Sequence, residues 1–217
     1  DETIKGYDYD IEKSRELLRK EGFKYDKDSN LLDKNGNYVE FNLITNAGNK
    51  VREAIGAQIK EDLRELGIKV NFSPLAFNVL IDKLSNSLDW EANIIGFTGG
   101  NEPHSPNVWY TDGNLHMFNQ ELQSNSKSLT GRTVSEWEKR IEDLYVAGSQ
   151  ELSLEKREKI YAEAQEVVSE NLPFIYLVNP YSFAAVKNRF VDINYSSLRG
   201  AFWNIEKLSI NDFNEEE

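Results

Sequence analysis

Few side chains in this chain of 217 residues can do chemistry by type alone. There are two histidines, His104 and His116, and no cysteine. Without cysteine there is no thiol nucleophile, cysteine zinc site, iron–sulfur cluster or disulfide framework. The histidines are too far apart in sequence to share one helical turn, and no His-Glu-x-x-His run exists. A metal would need a loop that brings them to a carboxylate such as Glu102; the plainer expectation is two partly exposed loop histidines. Asp26-Lys27-Asp28-Ser29-Asn30 is similar to the opening of a calcium loop, where oxygen ligands alternate. However, Leu31 stands where that loop needs glycine, and Asn37 stands where it needs glutamate. Turn-forming Asp and Asn account for the same residues without a metal.

Covalent catalysis finds no support in the sequence. There is no Gly-x-Ser-x-Gly elbow. With 37 acidic residues, some carboxylate pair matches a glycosidase template by chance. Gly96-Phe97-Thr98-Gly99-Gly100 has neither the dinucleotide glycine spacing nor the Lys-Ser/Thr of a phosphate loop. It does follow a predicted strand, and in α/β sheets ligands gather just past the carboxyl ends of strands. Adjacent glycines allow close approach of a ligand or another backbone. Phe97 and Trp109 offer stacking faces, and Thr98, Asn101, Glu102, His104 and Asn107 offer polar groups that orient a ligand. A turn carrying buried aromatic anchors explains the same stretch, and the residues alone leave both open.

The elements that would position this stretch alternate. A helix is expected over 8–21, with Asp8 or Asp10 as cap and Gly22 as stop. A turn-rich segment over 23–38 precedes a strand over 39–45. Val51, Ile55, Ile59, Leu63 and Leu66 mark a helix over 49–66, and Gly67 ends it. A short strand over 68–72 leads to Ser73-Pro74, read as a helix start, and to a helix carrying Phe77, Leu80, Ile81, Leu84 and Leu88. A strand over 90–97 follows. Residues 98–132 break the pattern, with 124–128 read as flexible. Thr133-Val134-Ser135-Glu136 reads as a capping box. It opens the first helix of a hairpin whose second helix spans 153–170. Strands are expected over 174–178 and 182–186. Residues 187–217 show weak periodicity and end in an acidic tail. The pattern is α/β, a mixed sheet with flanking helices.

The formal net charge is −12 with a pI near 4.8. An acidic surface repels phosphate backbones and anionic membranes, so neither is an expected partner. Apolar residues make up 39% and charged residues 29%, which is globular rather than disordered.

Four stretches resemble the family 5 extracellular solute-binding proteins, the peptide/nickel-type receptors of ABC importers. They are Asp10-Ile11-Glu12-Lys13-Ser14-Arg15-Glu16-Leu17-Leu18 through Gly22-Phe23; residues 28–45; residues 49–70; and residues 154–176, where the helix runs into Leu172-Pro173-Phe174-Ile175-Tyr176. Each motif is modest, but their order and spacing are specific. The resemblance implies one lobe of a periplasmic-binding-protein-like (type II) fold. Residues 1–186 would form the ligand-binding lobe, with a functional loop at 98–132, and 187–217 would return toward a first lobe outside this sequence. It implies a peptide or other small solute and ABC permease subunits as partners, no cofactor, and no catalysis. It also implies a periplasmic or extracellular protein whose export signal, often of lipoprotein type, lies outside these residues, so that an anchor supplies any membrane contact. Peptide receptors of the family commonly carry Gly-Trp-x-x-Asp after the sheet strand, the aspartate pairing with the peptide's amino terminus. Here Gly96 and Phe97 match, Gly100 stands where the acid falls, and Glu102 lies two positions on. The expected solute-binding residues are Phe97, Thr98, Gly99, Gly100, Asn101, Glu102, His104 and Trp109. The competing classes are a hydrolase using Glu102 with His104, and an interaction module docking through 187–217.

Overall fold

The computed structural model describes residues 4, 6–97, 99, 102–121, 131–181, 183–196 and 199–210. The chain divides into two compact units, Asp1–Phe97 with His104–Pro173, and Thr98–Pro103 with Phe174–Glu217.

In the first unit, α1 (Ile11–Lys20) is capped by Asp10, whose carboxylate accepts from the Lys13 amide at 2.8 Å. Next, β1 (Lys24–Tyr25) pairs antiparallel with β2 (Leu31–Leu32). The Asp26 carboxylate between them accepts from the amides of Asp28 and Asn30 and from the Asn30 side chain. Asp33 repeats the arrangement with Asn35 and Asn37. Hydrogen bonds from Asn30 and Asn37, respectively, hold both carboxyls below the ordinary range. The oxygens that resembled a calcium loop are thus used to close their own turns.

A parallel βαβ unit follows. β3 (Glu40–Asn46) and β4 (Lys69–Leu75) pair in register from Glu40↔Lys69 to Asn46↔Leu75, with α2 (Lys50–Glu65) as the crossover. α2 lies so close to β4 that a Cβ on Gly56 would collide with the Phe72 ring. Gly67 ends the helix at φ 74°, a conformation that favours glycine. β5 (Ala92–Asn93) pairs parallel with β3 on its other side, giving the order β4-β3-β5. Leu43, Val70 and Ile94 are buried at the centre of this layer, with Ile55, Ile59 and Leu63 of α2 packed against them. Each such side chain contributes about 1.5–3 kcal/mol.

Two expectations change here. Ser73-Pro74 does not start a helix but lies inside β4. α3 (Phe77–Asp82) begins only after Ala76 and continues as a π turn, Lys83–Ser87. Because β4 is an edge strand, it tolerates a residue without an N–H. The strand expected over 90–97 shrinks to two residues, because only Leu43 and Ile44 of β3 receive it.

α4 (Pro106–Trp109) and the 3₁₀ turn Met117–Asn119 interrupt the stretch expected to be loop. The predicted helical hairpin forms from α5 (Glu136–Gln150) and α6 (Leu154–Asn171), which pack through Ile141, Leu144, Tyr145, Tyr161, Ala164 and Val168. The capping box sits two residues beyond the expected position: Ser135 is the cap and Glu138 its partner. Both spacings fit the motif, but Glu138 also has buried partners to reach, described below.

In the second unit, β6 (Phe190–Val191) pairs antiparallel with β7 (Ser209–Ile210). The strand expected over 174–178 has no ladder, nor do the described residues of 182–186. Ile175, Tyr181 and Phe183 are strongly exposed. Apolar composition alone makes no strand without a neighbour to pair with. Thr98, Gly100, Asn101, Ser182, residues 124–128 and the acidic end lie outside the described residues. The protein is α/β as expected, with its parallel and antiparallel strand pairs in separate sheets.

Candidate functional site

Three parallel strands end on one edge of the first unit, and the chain leaves each in a different way. β3 ends at Asn46 and turns through Ala47-Gly48-Asn49 into α2. Asn49 caps that helix, its side chain accepting from the Arg52 amide at 3.1 Å. The Gly48 amide donates to Glu53 at 2.8 Å. This bond and the stronger one from Lys50 hold the Glu53 carboxyl below its usual value. β4 ends at Leu75, and Phe77 follows with 60% of its surface exposed. Past β5 the chain runs on through Ile94 to Gly96 and Phe97. Thr45, fully buried, donates its hydroxyl proton to the Ile94 carbonyl at 2.9 Å, which fixes the exit of β5 against β3.

Of the expected site residues, Phe97 lies on this edge and is 46% exposed. Gly99 is exposed, with open space where a side chain would begin. Glu102 is exposed and falls in the second unit, whereas His104 is exposed and falls in the first. The His104 ring meets Tyr110 edge-on at 6.0 Å. Trp109 is half-buried and stacks on Tyr145 at 5.3 Å, against the α5–α6 core.

His116 departs from the expectation of a partly exposed loop histidine. It is 1% exposed. Its Nδ1 faces the Val108 carbonyl at 3.0 Å and its Nε2 faces Glu138 Oε1 at 3.1 Å. Both partners are acceptor oxygens, so the ring has a partner for its proton on either nitrogen. Glu138 is buried too, and that burial raises its pKa. The hydroxyl and amide of Ser135, the side-chain amide of Asn119 and the His116 ring together outweigh burial and leave the carboxyl below its ordinary value. This cluster ties residues 105–121 to the start of α5. Arg132 adds bonds to the carbonyls of Asn119 and Thr111, and Glu142 accepts from Thr111.

The sequence reading overlooked Asn46, Arg52 and Phe77. A signal for them was present: the turn after the first strand of a βαβ unit lies on the same sheet edge as the loop after its third strand.

The profile "Bacterial extracellular solute-binding proteins, family 5 Middle" matches residues 1–119. The chain belongs to this family. Among its family 5 relatives, a probable ABC transporter-binding protein of Deinococcus radiodurans is 35% identical over 185 residues, which is 79% of this chain and 30% of the relative. The oligopeptide-binding protein AppA of Bacillus subtilis is 24% identical over 95% of this chain and 36% of its own length. The chain thus spans about a third of the curated relatives it matches. The structure of Bacillus subtilis AppA in complex with a nonapeptide superposes with a TM-score of 0.75 at 22% identity, covering 96% of this chain and 39% of that one. NikZ from Campylobacter jejuni in complex with Ni(L-His) gives 0.72 at 20% identity, covering 96% and 41%. The fold is therefore that of the family 5 receptors, seen over one part of their length.

Proposed function

We propose that this chain is part of the substrate-binding component of an ABC importer. It captures a peptide or other small solute in a cleft between lobes and delivers it to permease subunits. The observation that carries this reading is the family 5 match over residues 1–119, which takes in all three parallel strands and the segments that leave them. The relatives, one named a transporter-binding and the other an oligopeptide-binding protein, support it. The solute biases an equilibrium between open and closed forms, and the closed form docks on the permease. Within this reading Phe97, Thr98, Gly99, Gly100, Asn101, Glu102 and His104 form the segment that meets the solute. The stacking of Trp109 on Tyr145 supports an anchoring part for that residue. The protein binds and releases without breaking bonds, and it works in the periplasm or outside the cell, held by a lipid anchor. No helix among the described residues is long and apolar enough to cross a membrane.

Native mass spectrometry of the intact receptor containing this chain tests the reading. The expected result is a solute adduct lost after unfolding and refolding, and a raised melting temperature when pooled tri- to pentapeptides are added back. The absence of both effects would overturn it.

A further inference from the structure

β5 is a strand of two residues, and side chains close it at both ends. At its start the Asn42 amide of β3 donates to the Glu91 carboxylate at 2.8 Å, where a longer β5 would offer the Trp90 carbonyl. At its end the Ile94 amide still donates to the Ile44 carbonyl at 2.9 Å, which sets Ile94 opposite Thr45. The next rung of a parallel ladder would bring the Asn46 amide to the Ile94 carbonyl. No backbone amide among the described residues reaches that oxygen; the Thr45 hydroxyl takes it instead, at 2.9 Å. Thr45 is fully buried and Ile94 nearly so, which keeps water from competing for the carbonyl.

The Thr45 side chain stands on the same face of β3 as Leu43, and Leu43 packs with residues of α2. A hydroxyl on that face reaches the Ile94 carbonyl only when the peptide after Ile94 tilts out of the sheet toward α2. Arg52, in the first turn of α2, gives independent support. A Cβ on Gly96 would lie 2.7 Å from Arg52 Nη2, while Nη1 of the same guanidinium donates to Asn46 Oδ1 at 2.7 Å. The chain that leaves β5 therefore runs against the start of α2, on the side to which the Thr45 hydroxyl draws it.

We infer that Thr45 is a positioning residue for solute recognition: its hydroxyl ends the β3–β5 ladder and sets the direction in which residues 95–97 leave the sheet. The inference rests on the receptor reading above and adds a buried residue that acts on the solute only through the backbone it aims. Without the hydroxyl, the Ile94 carbonyl either stays unpaired in the core or takes the Asn46 amide and extends the ladder by one rung. Both outcomes displace Phe97.

The test compares the intact receptor with three variants. Thr45→Val keeps the shape and removes the hydroxyl, Thr45→Ser keeps the hydroxyl and removes a methyl group, and Ile44→Val trims the neighbouring residue on the opposite face. The probe is the member of the tri- to pentapeptide pool that raises the wild-type melting temperature most. In calorimetry Thr45→Val should bind it about tenfold more weakly, the usual scale for one mispaired buried group. Thr45→Ser and Ile44→Val should stay within about twofold of the wild type, although both should melt at a lower temperature. Hydrogen exchange at the amides of residues 95–97, measured without solute, should differ from the wild type in Thr45→Val alone. Unchanged exchange there in Thr45→Val overturns the assignment whatever the solute. Unchanged affinity in Thr45→Val, or an equal loss in Ile44→Val, also overturns it and leaves the receptor standing. A wild type that carries no solute adduct and binds no member of the pool overturns the receptor reading, and this assignment with it.

Discussion

Trp109 stacks on Tyr145 with ring centroids 5.3 Å apart, whereas Phe97, in the same irregular stretch, keeps 46% of its surface in solvent. The backbone around both is mostly non-repetitive, so secondary structure does not separate them. What separates them is where the polar groups nearby are satisfied. Around Trp109, His116 reaches the Val108 carbonyl and Glu138, Asn119 also reaches Glu138, and Thr111 reaches Glu142. These bonds fasten an irregular segment to the hairpin as firmly as a ladder would. Beyond β5, backbone pairing with β3 stops after the Ile94 amide, and the Phe97 ring keeps nearly half its surface in solvent. Irregular backbone is thus no measure of function by itself; the outward-facing part is the part available to a ligand.

The largest effect should come from cutting the fastening. Glu138→Ala leaves His116, Asn119 and the Ser135 amide facing a buried void. It should cost about 3–5 kcal/mol in a denaturant titration, the usual penalty for removing one partner of a buried pair. A loss below 1 kcal/mol would show that the cluster does not hold the segment. Next, Trp109→Ala should destabilise by about 2–3 kcal/mol, less than a fully buried tryptophan because the ring is half-covered, with solute affinity preserved where the protein stays folded.

Acid titration should act on the same cluster more gently. The Glu138 carboxyl sits below its ordinary 4.5 in the folded protein. The stability this contributes is present in full above that value, and it is lost as pH falls from there through the lower folded value. Melting temperature followed downward from pH 5 should fall more steeply in the wild type than in Glu138→Gln. Parallel curves would remove the carboxylate from the account. The smallest effect on stability is expected for Phe97→Ala, under about 1 kcal/mol, with solute affinity reduced. If Phe97→Ala proves as destabilising as Trp109→Ala, the contrast between the two regions fails.

The sequence carried much of this but not all. Helices announced by caps and period, such as Ile11–Lys20 behind Asp10 and Lys50–Glu65 behind Asn49, lie close to where they were expected. Local signals decide such elements, and local signals are what a sequence displays. Elements that depend on a partner were less legible. The stretch from Trp90 to Phe97 has strand composition throughout, yet only Ala92 and Asn93 pair, because the length of a strand is set by its neighbour. His116 was read as partly exposed because nothing near it in sequence shows that Glu138 folds over it. At the strand edge, Phe97 was legible from its place after a predicted strand. Arg52 was not, because its relation to Gly96 exists only once β3 and β5 lie side by side.

Pro74 has a further consequence. The Leu75 carbonyl accepts from Ala47, so Leu75 turns its backbone toward β3, and alternation turns the Pro74 nitrogen outward. Among the described residues no strand pairs with the far margin of β4, and that margin lacks one donor near its end. A foreign strand aligning there would lose a hydrogen bond where it needs one, so this margin resists the sheet-to-sheet aggregation that an exposed parallel layer invites.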